Sequence, residues 1–274
     1  MSEEILVFFN QPWYLILFAI VGGAYFVYTN FKEGMDSVNK NEVSYRYSEK
    51  TTLTDGQLFA IALDAVMTAY WEVDNDTLAF THKGKKPHHF DKYMSGWFID
   101  TKEGYEDLTK YFFEDGRRSY FNFIYPLFKN VPQEQWSTRM AEKYGETERP
   151  YKILSRLNEK ALVEILIQEG VIDTEADLAI GVMGWDISTL VGQARRAYTA
   201  GLVSETEALH TIERARQMAL ANFKSWKEFG RSQVLGMALD YYQHDDGFFN
   251  DYIETYKQVF IDTESPWNTT LWPS

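Results

Sequence analysis

Apolar residues recur at intervals of three and four along most of the chain after residue 51, which is the spacing of one helix face. The repeat is clear from Leu58 to Ala69, where Thr54 or Asp55 is a natural N-cap. Alternating strand patterns and hairpin turn pairs are scarce, so the sequence predicts an all-α fold. Further helices are predicted at about 101–113, 120–128, 151–170, 186–201, 205–222, 225–243 and 249–260.

The final third of the chain carries the clearest helix boundaries. Ser204 and Glu207 have the spacing of a capping box, in which each side chain accepts a hydrogen bond from the other residue's backbone. Ser225 is the natural N-cap of the following helix, and Asp186 or Ser188 is predicted to begin the preceding one. These signals predict three consecutive helices in this part of the domain.

An uncharged segment lies near the start of the chain. No charged residue occurs between Ile5 and Asn30, and the stretch 13–28 is almost wholly apolar, with aromatic residues at both ends. This length and pattern predict a single-pass transmembrane helix that contacts the lipid bilayer through residues 5–30. A cleavable secretory signal and a buried core helix are the alternatives, and Glu3 and Glu4 argue against a signal.

The charges that flank this segment predict its orientation. Lys and Arg are absent before it, whereas four basic residues follow it, Lys32, Lys40, Arg46 and Lys50. This asymmetry favours an inner-membrane protein with its soluble domain in the cytoplasm. A periplasmic domain is the alternative. The predicted organisation is an N-terminal tail and transmembrane helix (1–31), a juxtamembrane linker (32–51), a compact multi-helix domain (52–262) and an irregular C-terminal tail (263–274).

Composition narrows the chemistry that we expect. The 274 residues carry a formal net charge of −13, which argues against nucleic-acid binding because that function needs a basic surface. The chain has no cysteine, so a Cys-ligated metal site and a thiol nucleophile are excluded. Asp240 and His244 have the spacing of two metal ligands on a helix, with Asp245 and Asp246 beside them, but the sequence has no His-Glu-x-x-His motif and no second cluster of ligands. We expect neither a metal nor a cofactor.

Several motifs of the last third occur together in a known type of domain. They are Gly184-Trp185-Asp186, the run 204–208 (Ser-Glu-Thr-Glu-Ala), and Ser225-Trp226 followed by Phe229. With softer matches upstream, this pattern resembles the YbeU/YbeR-like domain of unknown function of Gram-negative bacteria over roughly 51–243. The resemblance implies a helical fold and supplies no chemistry, and the N-terminal membrane segment departs from it. By association, it implies a partner-binding or immunity-type role.

Eight residues form the candidate pocket or interface, in two groups. Asp186 could act as a base or metal ligand beside an arginine that holds an anion, or it could cap a helix while Arg195 pairs with an acid of a neighbouring helix. Because these two residues are nine positions apart, they cannot touch each other. The first group is Trp185, Asp186, Arg195 and Arg196, and the second is Glu207, Ser225, Trp226 and Arg231. The second group would converge, together with Arg214, if the last helices pack antiparallel.

Three functions fit these observations. We expect a membrane-anchored, acidic helical module that binds another protein, and neutralisation of a basic toxin by an immunity-type protein is one concrete form. The alternative is an enzyme with an Asp/Glu–Arg pocket around Asp186 and the last helices, although no catalytic residue can be assigned. A structural subunit of an envelope complex is the second alternative.

Overall fold

The computed structural model describes residues 43, 45–48, 50–81, 100–242 and 247–273. These residues contain one isolated bridge between Arg46 and Asp74 and no strand, so the all-α prediction is confirmed for the part described. The helices are α1 (Asp55–Ala62), α2 (Ala65–Tyr70), α3 (Lys102–Glu114), α4 (Gly116–Asn130), α5 (Trp136–Tyr144), α6 (Glu148–Asn158), α7 (Lys160–Gln168), α8 (Met183–Thr199), α9 (Glu205–Asn222), α10 (Trp226–Tyr241), α11 (Phe248–Ile261) and α12 (Pro266–Thr269).

The membrane prediction concerns a part of the chain that lies outside the described residues. Its segment, 5–30, precedes the first described position. Within the described ranges, no helix has both the length and the apolar character that a bilayer crossing requires.

Helix α8 lies at the centre of the domain. Every residue from Gly184 to Ala197 is buried, and α8 packs against both α9 and α10. Glycines allow the close approach to α10, because a Cβ added at Gly236 would lie 2.3 Å from the Cβ of Trp185. A Cβ at Gly184 would lie 2.6 Å from the carbonyl oxygen of Phe229. A helix buried on every side must pair its polar side chains inside the protein, and α8 carries several.

Two helices that periodicity predicts as continuous are each divided in two. The first is interrupted at Leu63 and Asp64, which separate the end of α1 at Ala62 from the start of α2 at Ala65. Both residues are buried. The predicted helix 151–170 is interrupted at Glu159, whose extended backbone (ψ 104°) separates α6 from α7. Both interruptions leave the apolar spacing almost unchanged, which is why the pattern does not reveal them.

The predictions for the two ends of the domain need correction. Residues 263–274 are not wholly irregular, because α12 forms there and its Trp267 is buried. The indole N–H of Trp267 donates to the carbonyl of Ala62 at 2.8 Å. Within the predicted linker, the hydroxyl and the backbone N–H of Ser48 both donate to Asp76 at 2.7 Å, so this part of the linker packs on the domain.

Candidate functional site

Asp186 begins no helix, because α8 starts three residues earlier. The hydroxyl of Ser232, on α10, accepts a hydrogen bond from the N–H of Gly184 at 2.9 Å and thereby caps the first turn of α8. The prediction that Asp186 or Ser188 begins the helix is therefore wrong. A side chain from a neighbouring helix replaces the local cap that the sequence suggests.

The carboxylate of Asp186 caps a different helix, α4. It accepts the backbone N–H groups of Arg117 at 2.8 Å and Arg118 at 3.1 Å, and the guanidinium of Arg118 at 3.0 Å. Gly116 makes this approach possible, since a Cβ there would lie 2.1 Å from Asp186 Oδ2. Burial raises the pKa of Asp186 to about 6, and the hydrogen bonds to Arg117 and Arg118 oppose that shift. Both oxygens are occupied, as expected of a structural cap.

Arg195 and Arg196 extend from the other end of α8. Arg195 is fully buried and donates to the hydroxyl of Thr68 at 3.0 Å and to the carbonyl of Asp74 at 2.6 Å. Its guanidinium carbon lies 5.3 Å from the ring centroid of Phe80, and that of Arg196 lies 4.1 Å from it. Asp186 and Arg195 thus contact different segments, as their spacing predicts. Arg195 also donates to the carbonyl of Ala79 at 3.3 Å, so its hydrogen bonds among the described residues go to a hydroxyl and two carbonyls, while Asp64 acts on it electrostatically.

The caps predicted for α9 and α10 are confirmed. Ser204 and Glu207 form the capping box, in which Ser204 N donates to Glu207 at 2.8 Å and Glu207 N donates to Ser204 at 3.3 Å. Glu207 also pairs with Lys102 of α3. Ser225 accepts the N–H of Glu228 at 3.2 Å and so begins α10. Glu207 and Ser225 therefore stabilise separate helix starts.

The other two residues of the second group also have separate partners. Trp226 stacks on Trp267 with centroids 5.3 Å apart and donates to the carbonyl of Thr270 at 2.7 Å. Arg231 pairs with Asp173 at 2.7 Å. Among the described contacts, no hydrogen bond or ion pair joins Glu207, Ser225, Trp226 and Arg231 to one another, so the predicted convergence is not found.

A cavity of about 330 Å³ lies beside α8, between α2 and the start of α11. This volume is within the usual range for small-molecule sites. Of the eight predicted residues, Trp185 and Arg196 line it. The lining residues are Asp64, Met67, Tyr70, Trp71, Trp185, Ser188, Thr189, Gln193, Arg196, Tyr241 and Phe248.

One side of the cavity is polar and buried. The hydroxyl of Ser188 donates to Asp64 Oδ1 at 2.8 Å, and the amide of Gln233 donates to Ser188 at 2.8 Å. Asp64 Oδ2 and Gln193 Oε1 are also buried, and no donor of the described residues is hydrogen-bonded to either oxygen. Burial raises the pKa of Asp64 to about 6, against the attraction of Arg196 and other donors nearby. The polar side thus contains two buried acceptors without a donor.

The cavity lining also has an aromatic part. Trp71 and Tyr70 are perpendicular with centroids 5.0 Å apart, and Tyr70 and Phe248 are perpendicular at 5.2 Å. Phe248 and Tyr241 follow at 5.0 Å and 70°, and Tyr241 meets Trp185 at 6.1 Å and 80°. Five rings therefore form a continuous series of edge-to-face pairs along the wall.

Sequence reasoning missed the polar side of this cavity, although one signal was present. Asp64 is the sole charged residue in the apolar run from Phe59 to Tyr70, and a charge in such a run marks a buried polar group. Asp240 of the suggested metal pair instead pairs with Arg117 at 3.1 Å, and His244 lies outside the described residues. In the described ranges, no group of three or more His, Asp or Glu side chains could hold a metal.

The fold and the cavity define an all-helical domain with a cavity of small-molecule size, and the lining of that cavity is partly polar and partly aromatic. The family described as "Protein of unknown function (DUF1266)" matches residues 94–272, about two thirds of the sequence, and the chain belongs to that family. The match includes α8, α10 and α11, whereas α2 and its Asp64 precede it. No curated protein and no solved structure matches this chain.

Proposed function

We propose that the helical domain is a binding module for a small polar molecule, and that the cavity beside α8 is its site. The observation that carries this proposal is the buried carboxylate of Asp64, which lines the cavity and has one oxygen without a described donor. A buried acceptor that lacks a donor costs about 1–3 kcal/mol. A ligand that supplied a donor or a positive charge would recover part of that cost.

A cavity-filling substitution tests the proposal. Met67 lines the cavity and is half-buried, so Met67→Trp should occupy the space without opening the core. Met218 is a half-buried methionine of α9 that does not line the cavity, which makes Met218→Trp the matched control. Full-length protein in a non-ionic detergent would be heated with a library of polar metabolites, and hits would be checked by native mass spectrometry.

We expect at least one compound to raise the melting temperature of the wild type and of Met218→Trp, but not of Met67→Trp. Binding to the folded state alone raises stability by mass action, so the shift should grow with ligand concentration. The proposal fails if no compound binds, or if Met67→Trp responds as the wild type does.

A second function, binding of a basic protein partner, is favoured by the net charge of −13. Under this proposal the chain is a membrane-anchored module of the YbeU/YbeR-like kind from a Gram-negative bacterium, tethered to the inner membrane through residues 5–30. Such a partner should bind more slowly as salt rises, because screening weakens electrostatic steering. Purification from the host in mild detergent would reveal it, and an association rate that is independent of salt would contradict this function.

A further inference from the structure

A second cavity, of about 230 Å³, is lined by residues of α4, α6 and α10 and is rich in charge. Six of its eight lining residues are charged, and four of these six are basic. In the whole chain acidic residues outnumber basic ones, 40 to 27, so this lining reverses the charge balance of the protein. The lining residues are Arg117, Glu148, Arg149, Lys152, Arg156, Leu239, Asp240 and Tyr241.

One face of α6 supplies three of the four basic residues. Arg149, Lys152 and Arg156 are spaced by three and four positions, which places their side chains in one row along the helix. Like charges at this spacing repel one another. Arg149 is also the second residue of α6, at the end where the helix dipole disfavours a positive charge. This arrangement lowers the stability of α6, and an anion in the cavity would offset the loss.

The two acids of the lining compensate only part of this positive charge. Asp240 pairs with Arg117 at 3.1 Å. Glu148 pairs with Lys152 of its own helix at 2.8 Å. Among the described contacts, no ion pair within 4.0 Å includes either of the other two basic residues of the lining. The cavity therefore has two cationic side chains without an acid in contact.

These two residues are Arg149 and Arg156. The guanidinium of Arg156 donates to the carbonyl of Leu239, which is its one hydrogen bond to a described residue. Burial lowers the pKa of Arg156, and attraction to Asp240 and Glu159 opposes that shift. Its charge is thus partly withdrawn from water without a full counter-charge. Arg149 is exposed and makes no hydrogen bond or ion pair with the part of the chain that the structure describes.

We propose that this cavity binds a small soluble anion that carries a phosphate group. Basic residues exceed acidic ones by two in the lining. A phosphate monoester carries a charge of about −1.5 to −2 at pH 7, which matches that excess better than one carboxylate does. The planar fork of an arginine also fits two phosphate oxygens at once. This inference does not rest on the function proposed for the cavity beside α8, since the two linings share only Tyr241.

Glycerol 3-phosphate, glycerate and glycerol have the same carbon skeleton and differ in charge. We would titrate each into the full-length protein in non-ionic detergent at pH 7.5 and low ionic strength, because salt screens such contacts, and measure the heat of binding. We expect glycerol 3-phosphate to bind at least tenfold more tightly than glycerate, and glycerol to give no binding.

Arg149→Gln is the principal variant, because an exposed residue without a described partner can be replaced without disturbing the fold. A hydrogen bond to a charged group changes affinity by about tenfold or more, so this variant should bind glycerol 3-phosphate at least tenfold more weakly. The matched control is Arg139→Gln, at an exposed arginine of α5 that does not line the cavity, and it should bind as the wild type does.

Two further comparisons separate charge from position. Arg156→Lys keeps the positive charge and should bind glycerol 3-phosphate several-fold more tightly than Arg156→Gln, once circular dichroism shows that both are folded. Met67→Trp, which changes the cavity beside α8, should bind it as the wild type does. Absence of binding, equal affinity for glycerate, wild-type affinity in Arg149→Gln, or loss of binding in Met67→Trp would each overturn the inference.

Discussion

Replacement of Asp186 by alanine should destabilise the domain strongly. The substitution removes the acceptor for two backbone N–H groups, those of Arg117 and Arg118, and for the guanidinium of Arg118. Arg118 keeps bonds to the carbonyls of Phe112 at 2.6 Å and Phe113 at 2.8 Å, so its charge stays partly satisfied. Breaking a buried pair by removing one partner costs about 3–5 kcal/mol, and we expect a loss in that range.

Asp186→Asn offers an intermediate case. The amide retains one carbonyl oxygen that can accept a backbone N–H, but it loses the charge and the second acceptor. Its cost should be about 1–2 kcal/mol, near that of one or two ordinary hydrogen bonds.

Urea unfolding at pH 7.5, followed by circular dichroism and tryptophan fluorescence, would measure both losses. Glu205→Ala is the matched control, because Glu205 is an exposed acid in the first turn of α9. It should change the free energy of unfolding by less than about 0.5 kcal/mol. If Asp186→Ala were equally harmless, the carboxylate would not be the cap of α4, and a role in chemistry would regain support.

Three further predictions concern stability. Burial raises the pKa of Asp64 from 3.8 to about 6 in the folded state, so its contribution to stability falls as pH rises between these values. Asp64→Asn lacks this titration, and one pKa unit corresponds to about 1.4 kcal/mol. The unfolding free energy of Asp64→Asn minus that of the wild type should therefore rise by about 3 kcal/mol from pH 3 to pH 7. Urea titrations at several pH values would measure this difference, and a constant difference would contradict the prediction. Gly236→Ala should cost about 1–3 kcal/mol because its Cβ would overlap Trp185, whereas Gly56→Ala, with no atom within 4 Å, should be neutral or stabilising in thermal melts. Ser204→Ala should lower the unfolding free energy by about 1 kcal/mol, and an unchanged urea midpoint would refute its capping role.

The parts of the fold that could be predicted are those that depend on nearby residues. The capping box of Ser204 and Glu207 involves positions three apart, and the same holds for Thr54 and Gln57 at the start of α1. Apolar spacing within each helix is likewise local, which is why the all-α fold and most helix positions follow from the sequence.

The candidate site depends on contacts between distant residues, which the sequence does not display. Ser188 and Asp64 are 124 positions apart, and Asp186 lies 69 positions from the N–H of Arg117. Trp267 reaches Ala62 across 205 positions. A carboxylate near a helix start has the same sequence signature whether it caps its own helix or another, so the role of Asp186 could not be read from the pattern.

The buried carboxylates of Asp186, which caps α4, and of Asp64, which contacts α8, differ in how completely they are satisfied. This difference separates structure from function. Both oxygens of Asp186 accept hydrogen bonds, and its surroundings are fully explained by the cap of α4. Asp64 has one oxygen without a described donor, and it lines a cavity that aromatic rings also line. Selection for stability alone would favour a smaller or neutral side chain at Asp64, because an unsatisfied buried charge is costly. A ligand that binds this carboxylate would explain why the charge is kept despite its cost. Loss of the charge at Asp64 should therefore weaken ligand binding and, at neutral pH, increase the stability of the domain.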